Sequence, residues 1–151
     1  MSQAAQADNF SSARRIAASL VRDYIGALNA DNTDGVLELM SDDVIHDVNQ
    51  GERRRGRDRY KAFHARMMHH YEERLHDPVV MVSRDGTRAA VEYNVKGVYK
   101  VTEQGLPPAS EQHYALPGGT FFEIENGRIS RITTYLNMTD WLTQIMIEPT
   151  F

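Results

Sequence analysis

The sequence predicts an α+β fold in which a curved antiparallel sheet is wrapped by helices into a cone, and three observations point there. In the first half of the chain apolar residues recur three and four apart, at Ile16, Leu20, Tyr24, Ala27 and Leu28. A second such stripe is Tyr60, Phe63, His64, Met67, Met68 and Tyr71, and this spacing is that of amphipathic helices. The second half switches to alternation, with Val91, Tyr93, Val95 and Tyr99 set against Glu92, Asn94, Lys96 and Lys100. Asp85-Gly86 and Asn126-Gly127 are hairpin signals between such strands. Helices gathered on one side of a strongly curved sheet enclose an interior, which side chains fill or leave open as a pocket.

Taken in order, residues 1–11 lack periodicity and read as a flexible tail. Residues 12–151 read as a single domain. Ser11 or Ser12 caps a helix that stops at Asn29-Ala30-Asp31-Asn32. A short helix from Asp34 to Met40 follows, and Ser41-Asp42-Asp43 reads as a turn. Val44 to Asn49 is a strand by its β-branched content. Its alternation puts Ile45, Asp47 and Asn49 on one face, here assigned to the interior, and Val44, His46 and Val48 on the other. A polar turn containing Gly51 and Gly56 leads into a helix from about Arg57 to Arg74.

Strands are then expected over Pro78 to Ser83, Arg88 to Val101, Glu111 to Ile124 and Arg128 to Asn137. Pro117-Gly118-Gly119 should bend or bulge the third of these. Thr139 caps a closing helix that carries Trp141, Leu142, Ile145 and Met146.

Composition removes several classes of function. The chain has 151 residues and no cysteine, which excludes disulfides, thiolate nucleophiles and cysteine-ligated metal. Seventeen basic against 21 acidic residues leave a net charge of −4, so no nucleic-acid partner is expected. No apolar run approaches the roughly 20 residues a membrane span needs. The polar N-terminus lacks the apolar core of a secretory signal, and a cytoplasmic protein is expected. No glycine-rich phosphate loop, nucleophile elbow or dinucleotide fingerprint is present, and no cofactor is expected. His64, His69, His70 and His76 lack metal-ligand spacing, so no metal is expected either. Arg53-Arg54-Arg55, with Arg57 and Arg59, reads as a solvated turn, with an anionic group such as a coenzyme A phosphate as a minor alternative.

Several segments resemble the nuclear transport factor 2-like superfamily, and within it the ketosteroid isomerase-related and SnoaL-like cyclase proteins. They are Asp23-Tyr24-Ile25-Gly26-Ala27-Leu28-Asn29-Ala30-Asp31, the strand ending in Asp47, the stretch Gly118 to Ile129, and Tyr135 to Leu142. The resemblance covers Ser12 to Ile145 and implies the cone fold. It also implies that Tyr24 stands where ketosteroid isomerases hold a tyrosine donor, and Asp47 where they hold the base. The position of their second acid donor falls on Gly119, which supplies none. Thr134 falls where epoxide-hydrolase relatives carry an acidic residue. The superfamily also contains non-enzymatic binders, so the resemblance implies fold more narrowly than activity.

The residues themselves suggest the same chemistry. On the inward face of an apolar cone Asp47 would have a raised pKa and act as a general base. Tyr24 shares the inward stripe of Leu20 and Leu28 and can donate to a developing enolate oxygen. His113 has the parity of Ala115, Pro117 and Gly119, which suits an acid or base at the pocket mouth. Asn49 can hold a carbonyl, and Phe63, Met67, Tyr93, Phe121 and Trp141 suit an apolar lining. The reading is a cofactor-free isomerase or cyclase that moves a proton beside the carbonyl of a small hydrophobic, steroid- or polyketide-like substrate. A non-catalytic small-molecule binding or dimerisation module with the same cavity is the alternative. A homodimer packed through the outer sheet face is expected.

Overall fold

The computed structural model describes residues 2–49 and 51–146. Its elements are α1 (Gln3–Asn29), α2 (Thr33–Glu38), β1 (Met40–Val48), β2 (Arg54–Arg55) and α3 (Arg57–His70). They are followed by β3 (Tyr71–Val82), β4 (Arg88–Tyr99), β5 (Gln112–Glu125), β6 (Arg128–Leu136) and α4 (Met138–Met146). One open, curved six-stranded sheet runs in the order β2-β1-β6-β5-β4-β3, and it does not close into a barrel. All neighbours are antiparallel except β1 and β6. No helix among the described residues is long and apolar enough to cross a membrane.

Turn chemistry sets the two hairpins. Between β3 and β4, Asp85 Oδ1 accepts from the Thr87 amide at 3.0 Å, the Thr87 hydroxyl at 2.7 Å and the Ser83 hydroxyl at 3.0 Å. Between β5 and β6, Asn126 and Gly127 both have positive φ, 51° and 71°. That pair of values is what a two-residue turn matched to strand twist requires. α1 lies across β3 and β4, α3 beside β1 and β3, and α4 against β5. The core between helices and sheet includes Val21, Tyr24, Val36, Val91, Val95, Phe122, Ile132 and Ile145.

Four features differ from expectation. α1 begins at Gln3, capped by the Ser2 hydroxyl, so most of the segment read as a tail is helical. Alanine and glutamine are good helix formers and sustain a helix without an apolar stripe. Ser41-Asp42-Asp43 lies within β1 and not in a turn, and Arg54–Arg55 forms a short edge strand against it. α3 ends at His70, because Tyr71 to His76 pair with Tyr99 to Asn94. Cross-strand pairing overrides a helical spacing that happened to include Tyr71. Finally, β5 pairs with β4 without interruption through Pro117, Gly118 and Gly119. The proline is tolerated because β6 pairs with β5 only from Gly118 onward. Beyond that point Gln144 of α4 serves the strand edge, donating to Ala115 O at 3.0 Å and accepting from Ala115 N at 2.8 Å.

Candidate functional site

The inner sheet face, α1, α3, α4 and the loop after β4 enclose a cavity of about 460 Å³. Of the residues proposed from sequence, Tyr24, Asn49, Phe63, Met67, Tyr93, Thr134 and Trp141 line it. Asp47, His113, Gly119 and Phe121 do not.

The absence of Asp47 is the main correction. In β1 the inward set is Val44, His46 and Val48, with His46 only 3% exposed. A one-residue error in facing inverts every side chain of a strand. Asp47 therefore points outward, where Arg53 binds both its oxygens, at 2.9 and 3.0 Å, and the Thr133 hydroxyl donates at 3.0 Å. The Arg53 hydrogen bond is the largest influence on its carboxyl and, with Thr133, holds it below the usual carboxylate value, the reverse of the raised value expected of a base.

The same physics removes the β5 residues. Tyr114, Leu116, Thr120, Phe122 and Ile124 are buried, so the odd-numbered positions face out. His113 lines a separate open groove with Arg74, His76 and Lys96. Phe121, at 48% exposure, packs edge-on against Tyr135 on the outer face. Asn49 reaches the cavity through a positive φ of 48° at the strand end. Its amide is already occupied, accepting from Leu136 N at 2.7 Å and contacting Met138 sulfur at 3.2 Å.

At one part of the cavity wall the hydroxyls of Tyr24 and Tyr60 lie 3.2 Å apart. Burial raises both phenols, Tyr60 to about 12, so both are protonated at neutral pH. Two hydroxyls joined by one hydrogen bond commit one proton and leave the other free to donate. His46 lies beside them, its ring 4.8 Å from Tyr60 and 4.7 Å from Phe63. Burial, reinforced by the charge of Arg54, lowers its pKa to about 4, so the imidazole is neutral. Its Nδ1 is buried with no hydrogen-bond partner among the described residues. A third polar group is the chain Tyr93 Oη, Thr120 Oγ1 and Thr134 Oγ1, with spacings of 2.8 and 3.2 Å.

Three carboxylates among the described residues line the cavity. Asp31 is paired with Arg74 at 3.0 Å, and Glu103 with Arg66 at 2.7 Å and with the Tyr71 hydroxyl. Glu73 has no ion pair among the described residues, and the Tyr114 hydroxyl donates to its Oε1 at 2.6 Å. Burial raises its carboxyl above the usual value, partly offset by that hydrogen bond. Tyr71, Tyr114 and Trp141 form an aromatic cluster there, with ring centroids 5.8 to 6.4 Å apart.

Sequence reasoning missed Glu73 because it assigned the residue to the end of a helix. It missed Tyr114 because it put His113, Ala115, Pro117 and Gly119 on the inward face of β5, and Tyr114 therefore on the outer one. The β4 alternation, carried across the β4–β5 pairing, was a signal that could have found Tyr114. Among the described residues no group of three histidines, aspartates or glutamates is placed to hold a metal ion. Arg53, Arg55 and Arg57 pair with Asp47, Asp43 and Asp42, so these members of the arginine run engage neighbouring carboxylates.

The SnoaL-like domain family matches residues 21–132. The chain belongs to that family. This SnoaL-like protein is 44% identical to a candidate polyketide cyclase from Xanthomonas campestris pv. campestris, covering 88% of this chain and 98% of that one, with a TM-score of 0.86. A candidate polyketide cyclase from Pseudomonas putida KT2440 is 49% identical over 85% of this chain and 97% of that one, with a TM-score of 0.84. A nuclear transport factor 2-like protein from Burkholderia pseudomallei K96243, 20% identical over 87% of this chain and 98% of that one, shares the fold at a TM-score of 0.73. No curated protein matches the chain.

Proposed function

We propose that the cavity of this SnoaL-like protein takes a small, largely apolar carbonyl compound and moves a proton beside the carbonyl, as a cyclase or isomerase does. The observation that carries this reading is Glu73, a half-buried carboxylate on the cavity wall with no cationic partner among the described residues. A carboxylate so placed has a pKa shifted toward neutrality, which suits general base catalysis. Glu73 would take the proton from carbon while the C–H electron pair forms the enolate carbon–carbon double bond and the carbonyl π pair moves onto the oxygen. The free proton of the Tyr24–Tyr60 pair supplies a hydrogen bond to that oxygen. In an isomerase, protonated Glu73 returns the proton to another carbon. In a cyclase, the enolate carbon attacks a second carbonyl of the same molecule, and the resulting alkoxide takes the proton. The relatives from Xanthomonas and Pseudomonas favour the cyclase form.

The test needs no natural substrate. A simple 1,3-diketone such as 1-phenylbutane-1,3-dione is incubated with the protein in D2O, and loss of its methylene proton signal is followed by NMR. Exchange faster than the buffer rate, and lost in Glu73→Gln, is the expected result. Saturable binding of the diketone without accelerated exchange would overturn it in favour of a binding module.

We further propose that two copies meet through the outer sheet face. Met81, Phe121 and Tyr135 are exposed there at 50%, 48% and 44%. They are bordered by Asp47 with Arg53, and by Glu123 with Arg131 and Arg88. An apolar patch bordered by both signs of charge is suited to pairing with itself about a two-fold axis.

A further inference from the structure

Glu73 on β3, Gly97 on β4 and Tyr114 on β5 are register partners and form one row across the inner sheet face. The outer two members are separated by two strand spacings, on the order of 10 Å. Side chains that far apart in a sheet do not meet when the middle position carries a side chain of its own. The row directly beside this one, Leu75, Val95 and Leu116, is filled in that ordinary way. At Gly97 the middle is empty, and the Tyr114 ring lies across it. A Cβ on Gly97 would collide with Cζ and Oη of that ring. The backbone of Gly97 does not need glycine for its φ, since its angle is not among the positive ones. The space is what matters, and through it the Tyr114 hydroxyl reaches Glu73 Oε1 at 2.6 Å.

We propose that Gly97 is a positioning residue: its missing side chain lets Tyr114 span β4 and hold Oε1 of Glu73, leaving Oε2 as the oxygen that accepts a proton from the ligand. This rests on the reading of Glu73 as the base. Two consequences follow from the geometry. The carboxylate is locked in one rotamer by a donor anchored two strands away, which fixes the direction of the free oxygen. The donated hydrogen bond also favours the charged carboxylate and opposes the effect of burial. The phenols that feel its charge are Tyr71 on its own strand, Tyr93 on β4 and Tyr114 on β5, while Asp31 and Glu103 on the same cavity wall are paired with Arg74 and Arg66. Burial raises all three phenols, so none ionises in the range where the carboxyl titrates.

The experiment is a carbon-13 NMR titration of the Glu73 carboxyl in the full chain. Wild type is compared with Tyr114→Phe, Gly97→Ala, Tyr114→Leu and the double variant Gly97→Ala/Tyr114→Leu. Losing a hydrogen bond to a charged group should raise the Glu73 pKa by about one unit in Tyr114→Phe and in Gly97→Ala. In the Tyr114→Leu background, with no ring to displace, Gly97→Ala should cause no further shift. A wild-type titration in Gly97→Ala, or equal shifts from that substitution in both backgrounds, overturns the proposal. If Gly97→Ala does not fold, recovery of folding in the double variant supports the ring clash, and failure of both overturns it. Diketone exchange by Glu73→Gln at the wild-type rate would instead overturn the base reading, while leaving the titration coupling between Gly97 and Tyr114 to be read separately.

Discussion

Arg53 binds both carboxylate oxygens of Asp47, at 2.9 and 3.0 Å, on the sheet face opposite the cavity. The pair is the end of a ladder that crosses the outer face. Thr133 donates to Asp47, Arg131 donates to Thr133, and Glu123 is shared between Arg131 and Arg88. An aspartate so engaged is an anchor for the β1–β6 edge and has no path to a ligand in the interior.

Asp47→Asn should therefore leave diketone exchange within about twofold of wild type. Its thermal midpoint should fall by no more than about 3 °C, because the partner Arg53 is largely exposed to solvent, which screens the pair. The folded-state pKa is depressed, so the stabilisation is present above the ordinary aspartate range and is lost as pH falls through the lowered value. Scanning calorimetry at pH 7 and pH 3 should show the variant and wild type converging at the lower pH. A hundredfold loss of exchange in this variant would restore Asp47 as a catalytic residue.

Glu73→Gln should lower kcat/KM for exchange by about 10²- to 10⁴-fold, the usual span for a general base. Diketone binding measured by calorimetry should persist, because the glutamine keeps the volume of the wall. The exchange rate of wild type should rise with pH to a plateau, with a midpoint above the ordinary carboxylate value, since burial favours the protonated form.

Tyr24→Phe and Tyr60→Phe should each reduce exchange by about 10- to 10²-fold, at or below the range for removal of a single oxyanion donor. The double variant should lose less than the product of the two, because the hydroxyls share one hydrogen bond and act as a unit. Strict additivity would mean that the two tyrosines serve different sites.

His46 makes stability depend on pH. Its pKa falls from 6.5 to about 4 on folding, so the neutral ring is compatible with the fold above pH 6.5. As pH drops from there toward 4, the unfolded chain gains a proton that the folded chain resists, and stability should fall by up to about 3 kcal/mol. Below that window the loss levels off. Urea unfolding midpoints between pH 7 and pH 4 measure this, and His46→Phe should flatten that part of the curve.

Sedimentation at micromolar concentration should give twice the 17.2 kDa chain mass. Phe121→Arg, placing charge in the outer patch, should shift the equilibrium toward the monomer. A wild-type monomer at those concentrations would remove the outer face as a pairing surface.

Much of this protein was determined by local pattern. The alternation of Val91, Tyr93, Val95 and Tyr99, the Asp85-Gly86 and Asn126-Gly127 turns and the helical stripes specify an α+β sheet with helices, and the structure has it. The inward direction of Tyr24 follows from its helix stripe, and the protein does bury it. What local pattern could not determine was the facing of β1 and β5. In β1 each face offered apolar residues, Ile45 on one and Val44 and Val48 on the other. The decision came from the parallel pairing with β6, which aligns His46 with the buried Ile132 and Asp47 with Thr133. In β5 the proline and glycines suggested a bend that pairing with β4 removes. Glu73 depended on both kinds of information. Its strand extends a helix-like spacing, and its tyrosine partner is 41 residues away in sequence. Only the register of three strands, with glycine in the middle one, brings that carboxylate and that hydroxyl together, because strand pairing is a long-range contact that no window of neighbouring residues encodes.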